Sequence, residues 1–543
     1  MKEQSVSPSK DFRYSDLYLD FLEKKPAMKK YFIAEEPFEV AAGLGRIHVD
    51  RELMANILVR QNTAFEAKPE TFKAIEKLRK EDTLCIFGGQ QAGLFGGPLL
   101  TLYKAIGLVK HAQLLQKKLH REVVPIFWIA SDDHDFEEIN HAFVLDNKGE
   151  IERLAYEAPP PTAVSAAEIL FADAEQYNHL SGRVKVTLGE TDFTGEMYRR
   201  LFAAYRAGNS FVDAFGQYLL DILPDIGLVM FSPADKEVKV ASRPFFKRLA
   251  EGHFRFREIL GETNQNLEKD GYHVQAEKKE TAVNLFLHTP ARVAVHYESD
   301  SFVFGDKRLG LNGLIDLIDR HPERFSPDVL ARPIWQSYLF PVVAQIGGPS
   351  EIAYFAQIGH LFEFFGLVQP YHYARPSLSI IEKRPEELMA KLELHLMDFT
   401  GDIEQLVNRV TEKSFPKEME AAIGDFKLKF EESFNEFFAA VRKFDESLEP
   451  MGKQTYGKID FAIGAFEKKI YDHHKKRMIS TRNQIYRLSN ILFPHHNLQE
   501  RTLNINCYIA KYGFGVIEYL VKEMNVSSIE HQLIYISEMT AGK

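Results

Sequence analysis

The stretch that decides the fold is "DTLCIFGGQQAGLFGGPLLTLYKAIGLVKHAQLL", residues 82–115, followed closely by "VVPIFWIA", residues 123–130. The apolar run "TLCIF" predicts a short buried strand, the glycine-rich segment a loop, and the remainder a long helix. The second apolar run predicts another buried strand. Because strand, crossover helix and strand form a βαβ unit, the stretch predicts a parallel sheet in an α/β fold.

Later segments extend this sheet and interrupt it. "IGLVMFSPAD", residues 226–235, predicts a third strand, and the α/β pattern resumes with "SYLFPVVAQIGGPSEIAYFAQIGHLFEFFG", residues 337–366. Between them, "VNLFLHT", "RVAVHYES" and "SFVFGDK" alternate in polarity, which predicts antiparallel strands. A proline-rich segment with short helices separates the second strand from the third. The sequence therefore predicts two insertions in one α/β core.

From about Arg384 the pattern becomes helical. Apolar residues recur in steps of three and four, as in a coiled coil; they are Ile423, Phe426, Phe430, Phe434, Phe437, Val441, Phe444 and Leu448. Pro450 and Gly452 are expected to turn the chain into a second helix, whose apolar series is Ile459, Ile463, Phe466 and Ile470. The pattern predicts an antiparallel helical hairpin, with two core helices of a bundle as the alternative.

The composition is that of a globular protein of 543 residues, with 45 % hydrophobic residues, 27 % charged residues and a formal net charge of −10. This length predicts two or three domains. The only cysteines, Cys85 and Cys507, exclude a disulfide framework and a multi-cysteine zinc site, and Cys85 is expected to be a packed core residue. The negative charge disfavours general binding of nucleic acid. Without a membrane-spanning run or signal peptide, the predicted location is cytoplasmic.

The segment "GGQQAGLFGGP", residues 88–98, ends the first predicted strand. Ligands bind at the carboxyl ends of strands in a parallel α/β sheet. Pro98 suits the first helical position and Gly97 the cap, so free backbone N–H groups and the helix dipole would face an anion. The Lys-Ser/Thr pair of a P-loop and the GxGxxG spacing are both absent. The alternative is that the glycines serve only a tight strand-to-helix turn.

The second predicted strand ends in a cluster of charge: Asp132, Asp133, His134 and Asp135. So many ionisable groups at the mouth of a sheet are costly to bury unless a ligand, metal or amine compensates them. The carboxylates are candidates for holding an ammonium group or for a general base, and His134 for a proton shuttle or metal ligand. Capping of the next helix by one aspartate is the alternative, with two glutamates in its first turn.

A third segment, "QIGGPSEIAYFAQIGH", residues 345–360, repeats the glycine, proline and helix design. Gly348 and Glu351 are expected near a helix N-terminus, and Glu351 and Gln357 are predicted to face the site. Arg332 and Arg375 both occur in "ARP" tripeptides, where a guanidinium suits a carboxylate or phosphate. A surface ion pair is the alternative for Arg332.

Four motifs in a fixed order carry a family resemblance. "GGQQAGLFGGPLLTLYKAI", "VPIFWIASDDHDFEEIN", "GGPSEIAYFAQI" and "LQERTLN", with a helical hairpin before the last, closely resemble the bacterial cysteine-adding enzyme of bacillithiol synthesis. The likeness covers essentially the whole chain. It implies a ligase that joins L-cysteine to the amino group of glucosaminyl malate.

The fold of that family resembles class I aminoacyl-tRNA synthetases, cysteinyl ones in particular. The implied fold class is α/β, with a Rossmann-like parallel-sheet core, two connecting insertions and a C-terminal α-helical antiparallel coiled-coil domain that forms a homodimer. The predicted division is an N-terminal helical arm (1–80), the first core segment (81–150), the first inserted segment (151–222), the second core segment (223–262), the second inserted segment (263–325), the third core segment (326–383), the helical coiled-coil domain (384–500) and a C-terminal helical segment (501–543).

The resemblance also bears on activation of the carboxylate. ATP or another nucleotide, with magnesium, is the implied source, since amide formation from a free carboxylate needs one. The first ATP signature of the synthetases, His-x-Gly-His, is replaced here by the residues 95–98, without either histidine. The second has an echo in "ARPSLSIIEKR", where Arg375, Ser377 and Lys383 are candidates. The thiol-binding zinc of the synthetases has no cysteine ligands here, although His134 with its aspartates would form an oxygen and nitrogen site.

Residue roles follow from this picture. The glycine loop is expected to bind malate or phosphate, two glutamines to donate neutral hydrogen bonds, and Lys104 and Arg375 to supply charge. The predicted substrate-binding residues are Gly89, Gln90, Gln91, Gly93, Gly96, Gly97, Lys104, Gly348, Glu351, Gln357, Arg375 and Ser377, and the predicted catalytic residues are Asp132, Asp133, His134 and Asp135. Two alternatives stay open: a nucleotidyl-transferring enzyme of the same fold, and a non-catalytic synthetase-like protein that binds nucleotide or tRNA.

Overall fold

The computed structural model describes residues 3–44, 48–289 and 291–539. Its strands are β1 (Ser5–Val6), β2 (Leu84–Gln90), β3 (Val123–Ile129), β4 (His141–Leu145), β5 (Ile151–Ala155), β6 (Val229–Phe231), β7 (Ala282–Thr289), β8 (Ala291–Glu298), β9 (Ser301–Phe304), β10 (Lys307–Leu309), β11 (Phe325–Pro327), β12 (Val342–Gly347), β13 (Tyr371–Ala374), β14 (Leu378–Ile381) and β15 (His531–Tyr535).

The α-helices are α1 (Asp16–Leu22), α2 (Pro37–Gly43), α3 (Arg51–Ala64), α4 (Pro69–Lys77), α5 (Leu99–Leu119), α6 (Phe136–Ile139), α7 (Ala174–Leu188), α8 (Thr194–Ala204), α9 (Phe211–Ile222), α10 (Lys236–Ala241), α11 (Arg243–Glu251), α12 (His253–Lys269), α13 (Leu311–Arg320), α14 (Arg332–Leu339), α15 (Pro349–Ile358), α16 (Leu361–Phe364), α17 (Lys383–Leu392), α18 (Ile403–Lys413), α19 (Lys417–Phe444), α20 (Glu449–Arg477), α21 (Ile479–Leu492), α22 (Gln499–Thr502), α23 (Asn506–Tyr512) and α24 (Gly515–Glu523). Within the described ranges, no helix combines the length and apolarity needed to cross a membrane.

The chain divides into two units, Met1–Glu386 with Asn497–Lys543, and Glu387–His496. At the centre of the first unit lies a parallel sheet of order β13-β12-β2-β3-β6. Every residue of β3 is buried, and so are the first five of β2, including Cys85 as predicted. Burial on both faces explains why these strands read as continuous apolar runs.

The chain adds strands to this parallel sheet first in one direction from β2 and then in the other. From β2 the chain moves through β3 to β6 on one side, and it returns through β12 and β13 on the other. The boundary between β2 and β12 is therefore the topological switch point, where diverging loops leave room for a ligand.

Two insertions interrupt this sheet. The first carries α7, α8 and α9 between the β4–β5 hairpin and β6. The second is an antiparallel sheet of order β10-β9-β8-β7-β11, which contains the three alternating segments named above. Residues that follow β11 lead directly into α14 and the second half of the central sheet, so this inserted sheet is attached beside the switch point.

Both terminal segments, which were predicted to be helical throughout, also contain a β-strand. Residues 1–80 include β1 and residues 501–543 include β15, and these strands join β14 in a small sheet of order β1-β15-β14. β15 is only five residues long, and all five are buried. Its hydrogen-bond partners lie far away in sequence, so local periodicity does not reveal it.

The second unit contains the predicted helical hairpin. Ring contacts of Tyr456 with Phe430 and Phe434, at 6.0 and 5.1 Å between centroids, pair α19 with α20 in antiparallel sense. Neither helix has a buried residue, which favours the hairpin over two core helices of a bundle. The turn, however, lies at Asp445–Leu448. Gly452 is helical, and a Cβ there would stand 1.9 Å from the Phe438 ring, so close packing requires this glycine.

Candidate active site at the switch point

A cavity of about 470 Å³ lies at the carboxyl ends of β2, β3 and β12. Its wall includes residues 88–91 from the end of β2, Trp128 and Asp133 from the end of β3, and Gly348 and Glu351 from the loop after β12. The position agrees with the rule that ligands of open α/β sheets bind at the switch point.

The end of β2 is glycine-rich because the neighbouring strand is very close. A Cβ at Gly89 would lie 2.3 Å from the carbonyl oxygen of Trp128, so no larger residue fits there. Gln90 and Gln91 follow, and both side chains line the cavity. The local sequence thus places two neutral amides at the edge of the sheet.

A buried lysine joins the two halves of the site. Lys104, on α5, contacts the Glu351 carboxylate at 2.6 Å and donates to the Gly89 carbonyl at 2.6 Å and to Gln90 Oε1 at 3.1 Å. Burial lowers the pKa of Lys104 below its ordinary value, although Glu351 acts in the opposite direction. Glu351 also accepts the Gly348 N–H at 2.8 Å, so this carboxylate both caps α15 and partners the lysine.

Asp133 is an ionised carboxylate in the cavity wall. Its burial acts to raise its pKa, but hydrogen bonds from Gln91 and the His134 N–H, both at 2.8 Å, together with the charge of Arg292, keep the pKa below the ordinary value. Arg292 lies on β8 of the second insertion, with Nη1 4.0 Å from Asp133 Oδ1. Asp133 is therefore negatively charged at neutral pH.

Three guanidinium groups also line the cavity. Arg332 donates to the Tyr354 hydroxyl at 3.0 Å, and Tyr354 and Glu351 raise its pKa against the effect of burial. Burial also opposes the charge of Arg375, but the fully buried Glu500, at 2.5 Å, raises its pKa above the ordinary value. Arg501 adds an exposed third guanidinium to the wall. The cavity therefore brings one ionised aspartate together with several guanidinium groups.

Two family models together match nearly the whole chain. The family model "Bacillithiol biosynthesis BshC, N-terminal Rossmann-like domain" matches residues 1–376, and "Bacillithiol biosynthesis BshC, C-terminal coiled-coil domain" matches residues 378–536. The chain belongs to the BshC family. The α/β fold with a Rossmann-like domain and a helical coiled-coil domain is thereby confirmed.

Relatives in the BshC family resemble the chain over most of its length. A protein of Salinibacter ruber is 29 % identical over 530 residues, 96 % of either chain. Proteins of Koribacter versatilis and Geobacillus kaustophilus are each 30 % identical over about nine-tenths of either chain. All three carry the name "Putative cysteine ligase BshC".

The acidic cluster of this BshC chain separates into distinct environments. Asp132 pairs with the buried Lys239 at 2.6 Å, and Asp135 is exposed and caps α6 by accepting the Glu138 N–H. His134 lies outside the main cavity wall, and its Nδ1 accepts from Arg292 at 3.3 Å. Asp135 thus performs the capping role named as the alternative and does not line the main cavity.

The predicted oxygen and nitrogen metal site around His134 is likewise absent from the described ranges. Nowhere among the residues with assigned structure are three His, Cys, Asp or Glu side chains grouped to hold a metal ion. The reason is visible at the cluster itself, because Asp132 is engaged by Lys239 and Asp135 by the start of α6.

Much of the predicted glycine loop faces the protein interior. Tyr205 bridges the Gly96 N–H and the Gly93 carbonyl, and Asn504 donates to the Gly97 carbonyl at 2.6 Å. The helix begins at Leu99 rather than Pro98, and the Leu99 N–H donates to the Leu503 carbonyl. The predicted anion contact of Gly93, Gly96 and Gly97 is therefore wrong, whereas Gly89, Gln90 and Gln91 do line the cavity.

Two further predicted contacts are structural. Gln357 is fully buried away from the cavity wall, where its amide holds Asn264 and both backbone groups of Ala276. Ser377 donates to Glu500 and contacts His531 at 2.8 Å, which ties β14 to β15. Neither residue lines the cavity.

Sequence reasoning missed several charged residues of the site. Lys239 lies on the buried face of α10, the helix after β6, and Arg292 lies on a strand of the inserted sheet. No local pattern connects them with the aspartates. Glu500 and Arg501 had a signal, because both belong to the "LQERTLN" motif that carried the resemblance.

Proposed function

We propose that this chain is a cysteine ligase of bacillithiol biosynthesis, which joins the carboxyl group of L-cysteine to the amino group of glucosaminyl malate. The names of the relatives and of the family support the reaction class. The observation that carries the proposal is the pairing of an ionised Asp133 with the basic Arg332 in one cavity.

Asp133 binds the amino group of the acceptor in this proposal. A carboxylate whose pKa is held below its ordinary value attracts an ammonium group strongly but is a weak proton acceptor. The residue therefore orients the amine rather than acting as the general base. Gln91, which donates to Asp133 Oδ2, fixes the direction of that carboxylate.

The guanidinium groups bind the carboxylates of the substrates. Arg501 and Arg375 are assigned to the malate group of the acceptor, and Arg332 to the carboxylate of cysteine. Guanidinium groups suit this task because they donate two parallel hydrogen bonds to a carboxylate.

Activation by ATP or another nucleotide, with magnesium, belongs to the same proposal, but two backbone N–H groups at the helix starts near the site are already hydrogen-bonded within the protein. The Leu99 N–H at the start of α5 is occupied by Leu503, and the Gly348 N–H before α15 is occupied by Glu351. No step is therefore assigned to the nucleotide, and its requirement is tested by omitting it.

Homodimerisation through the coiled-coil unit is also proposed. Phe437 and Phe461 in the hairpin are 67 % and 78 % exposed, which is unfavourable for a lone helical pair in water. Sedimentation of the full chain is expected to give a dimer, and Phe437→Lys with Phe461→Lys a monomer. Glu436→Lys, at an exposed polar position, is the control that should remain dimeric.

The decisive experiment is mass spectrometry of the purified protein with L-cysteine, glucosaminyl malate and Mg-ATP, beside mixtures that lack one component or carry another donor. A cysteinyl amide is expected only in the complete mixture. Release of a nucleotide conjugate without cysteine would instead indicate a nucleotidyl transferase.

A pair of variants tests the role of Asp133. Asp133→Asn is expected to lower kcat/KM at least about 100-fold, because the charge that holds the amine is lost. Asp135→Asn, the matched control, keeps a good helix cap and should retain activity. Equal activity of Asp133→Asn and the wild type would contradict the assignment.

A further inference from the structure

A second chamber, of about 200 Å³, adjoins the main cavity. Its wall combines the end of β3 with Phe286 on β7 and Arg292 on β8 of the second insertion. The last residue of β11, Pro327, and the two residues after it complete the wall. Asp133 and Arg332 line both spaces. The two chambers thus meet at one carboxylate and one guanidinium.

The sizes of the two chambers differ in a useful way. Sites for drug-sized molecules occupy roughly 300–1,000 Å³. The main cavity, at about 470 Å³, lies within this range, and the small chamber lies below it. The pair therefore suits one larger and one smaller ligand, as a ligase that joins an amino acid to an amino-sugar derivative requires.

The two chambers also differ in the balance of charged side chains that line them. The small chamber has three acidic and three basic side chains, namely Asp132, Asp133, Asp328, Lys278, Arg292 and Arg332. The main cavity has four basic and three acidic ones, namely Lys104, Arg332, Arg375, Arg501, Asp133, Glu138 and Glu351. Balanced charge suits a zwitterion, and an excess of positive charge suits a dicarboxylate with one amine.

Within the small chamber, one carboxylate remains available to an ammonium group. Asp328 is saturated, because its oxygens accept from two backbone N–H groups, from Asn284 and from Lys278. Asp132 uses Oδ2 for Lys239, while its Oδ1 accepts no hydrogen bond from the described residues. The ammonium group of a ligand could donate a hydrogen bond to this Oδ1.

The remaining wall is apolar, and three of its side chains are aromatic. Trp128 and Trp335 are in edge contact at 5.3 Å, and Phe286 lies on the inserted strand. Trp335 donates its Nε1–H to Ser242, whereas the buried Nε1 of Trp128 has no hydrogen-bond partner among the described residues. A thiol packs favourably against such rings, but a hydroxyl would lose its hydrogen bonds to water.

We propose that the small chamber binds the amino-acid substrate and that the main cavity binds the amine acceptor. The α-ammonium group lies at Asp132, the thiol against Trp128, Trp335 and Phe286, and the carboxylate at Arg332, where it meets the amine held by Asp133. This assignment rests on the proposed function. It makes the second insertion the wall that covers the amino acid.

Calorimetric titration of the full chain with each substrate alone tests the assignment without turnover. L-cysteine, kept reduced, and glucosaminyl malate should each bind, and saturation with one should leave the affinity of the other within about twofold. L-serine should bind at least about tenfold more weakly than L-cysteine. Mutual competition would overturn the two-chamber assignment, whereas failure of both ligands to bind would overturn the proposed function itself.

Two reciprocal variants complete the test. Phe286→Ala should weaken cysteine binding about tenfold and spare the acceptor, and Arg501→Ala, which changes only the main cavity, should do the reverse. Because Phe286 also packs on the Arg292 guanidinium at 3.8 Å, Phe286→Leu provides a variant that keeps apolar packing. If either Phe286 variant, folded by its thermal melt, weakened both ligands equally, the assignment would be wrong.

Discussion

The loop after β2 and the loop after β12 have the same design in sequence, glycine pairs followed by proline and a helix, but different surroundings in the fold. Around the first, Asn504 and Tyr205 bind the backbone at residues 93–97. Around the second, Gly348 and Glu351 face the cavity beside Lys104. A glycine-rich turn thus specifies a backbone shape. Whether a ligand can bind there depends on whether another segment of the chain already covers the turn.

The largest expected effect concerns the loop after β12, which faces the cavity. Glu351→Ala leaves Lys104 buried without its carboxylate and removes the cap of α15, so the free energy of unfolding should fall by about 3 kcal/mol. Urea denaturation measures it. Glu138→Ala removes an exposed carboxylate from the same cavity and should change stability by less than about 0.5 kcal/mol. Equal losses of unfolding free energy in both variants would show that Glu351 has no special structural role beside Lys104.

The C-terminal segment, which covers the loop after β2, should make the stability of the protein depend on pH. Burial lowers the pKa of His531 to about 4, so the unfolded chain binds a proton at a higher pH than the folded chain does. The stability present above about pH 6.5 is therefore lost as pH falls, by about 1.4 kcal/mol per unit until the folded pKa is reached.

The wild type should consequently lose about 2 kcal/mol more stability between pH 7 and pH 5 than His531→Gln does. Unfolding free energies at both pH values give this difference. His179→Gln, at an exposed position, should behave like the wild type. The same pH dependence in His531→Gln would show that this histidine is not the titrating group.

An effect of similar size tests whether the loop after β2 is purely structural. Asn504→Ala leaves the Phe95 and Gly97 carbonyls without their donor and should cost about 2 kcal/mol of unfolding free energy. KM for both substrates should stay unchanged in the folded protein. Asn178→Ala, on the surface of α7, is the control. A raised KM in Asn504→Ala would mean that the closed loop contributes to binding.

The smallest effect concerns the end of the first loop that reaches the cavity. Gln91→Ala removes a hydrogen bond to the ionised Asp133, worth about 1.5 kcal/mol, so kcat/KM should fall about tenfold with little change in stability. Gln113→Ala, exposed on α5, should leave kcat/KM as in the wild type. An unchanged kcat/KM in Gln91→Ala would place this amide outside the reaction.

Sequence patterns predicted the regions of the structure that depend on neighbouring residues. The strand, loop and helix around residues 84–119 and the capping role of an aspartate before α6 follow from local periodicity and hydrogen bonding. Closure of the first loop does not, because Leu503 and Asn504 come from the other end of the chain. Lys239 and Arg292 were missed for the same reason. The nucleotide requirement and the dimer remain predictions.

The hydrogen bond between Asn504 and Gly97 joins positions 407 residues apart. During synthesis at roughly 5–20 residues per second, the glycine loop would wait roughly 20–80 s for its partner to leave the ribosome. The whole coiled-coil unit is made in that interval. The nascent Rossmann-like domain must therefore persist with one wall open, which makes it a natural substrate for chaperones that hold incomplete domains.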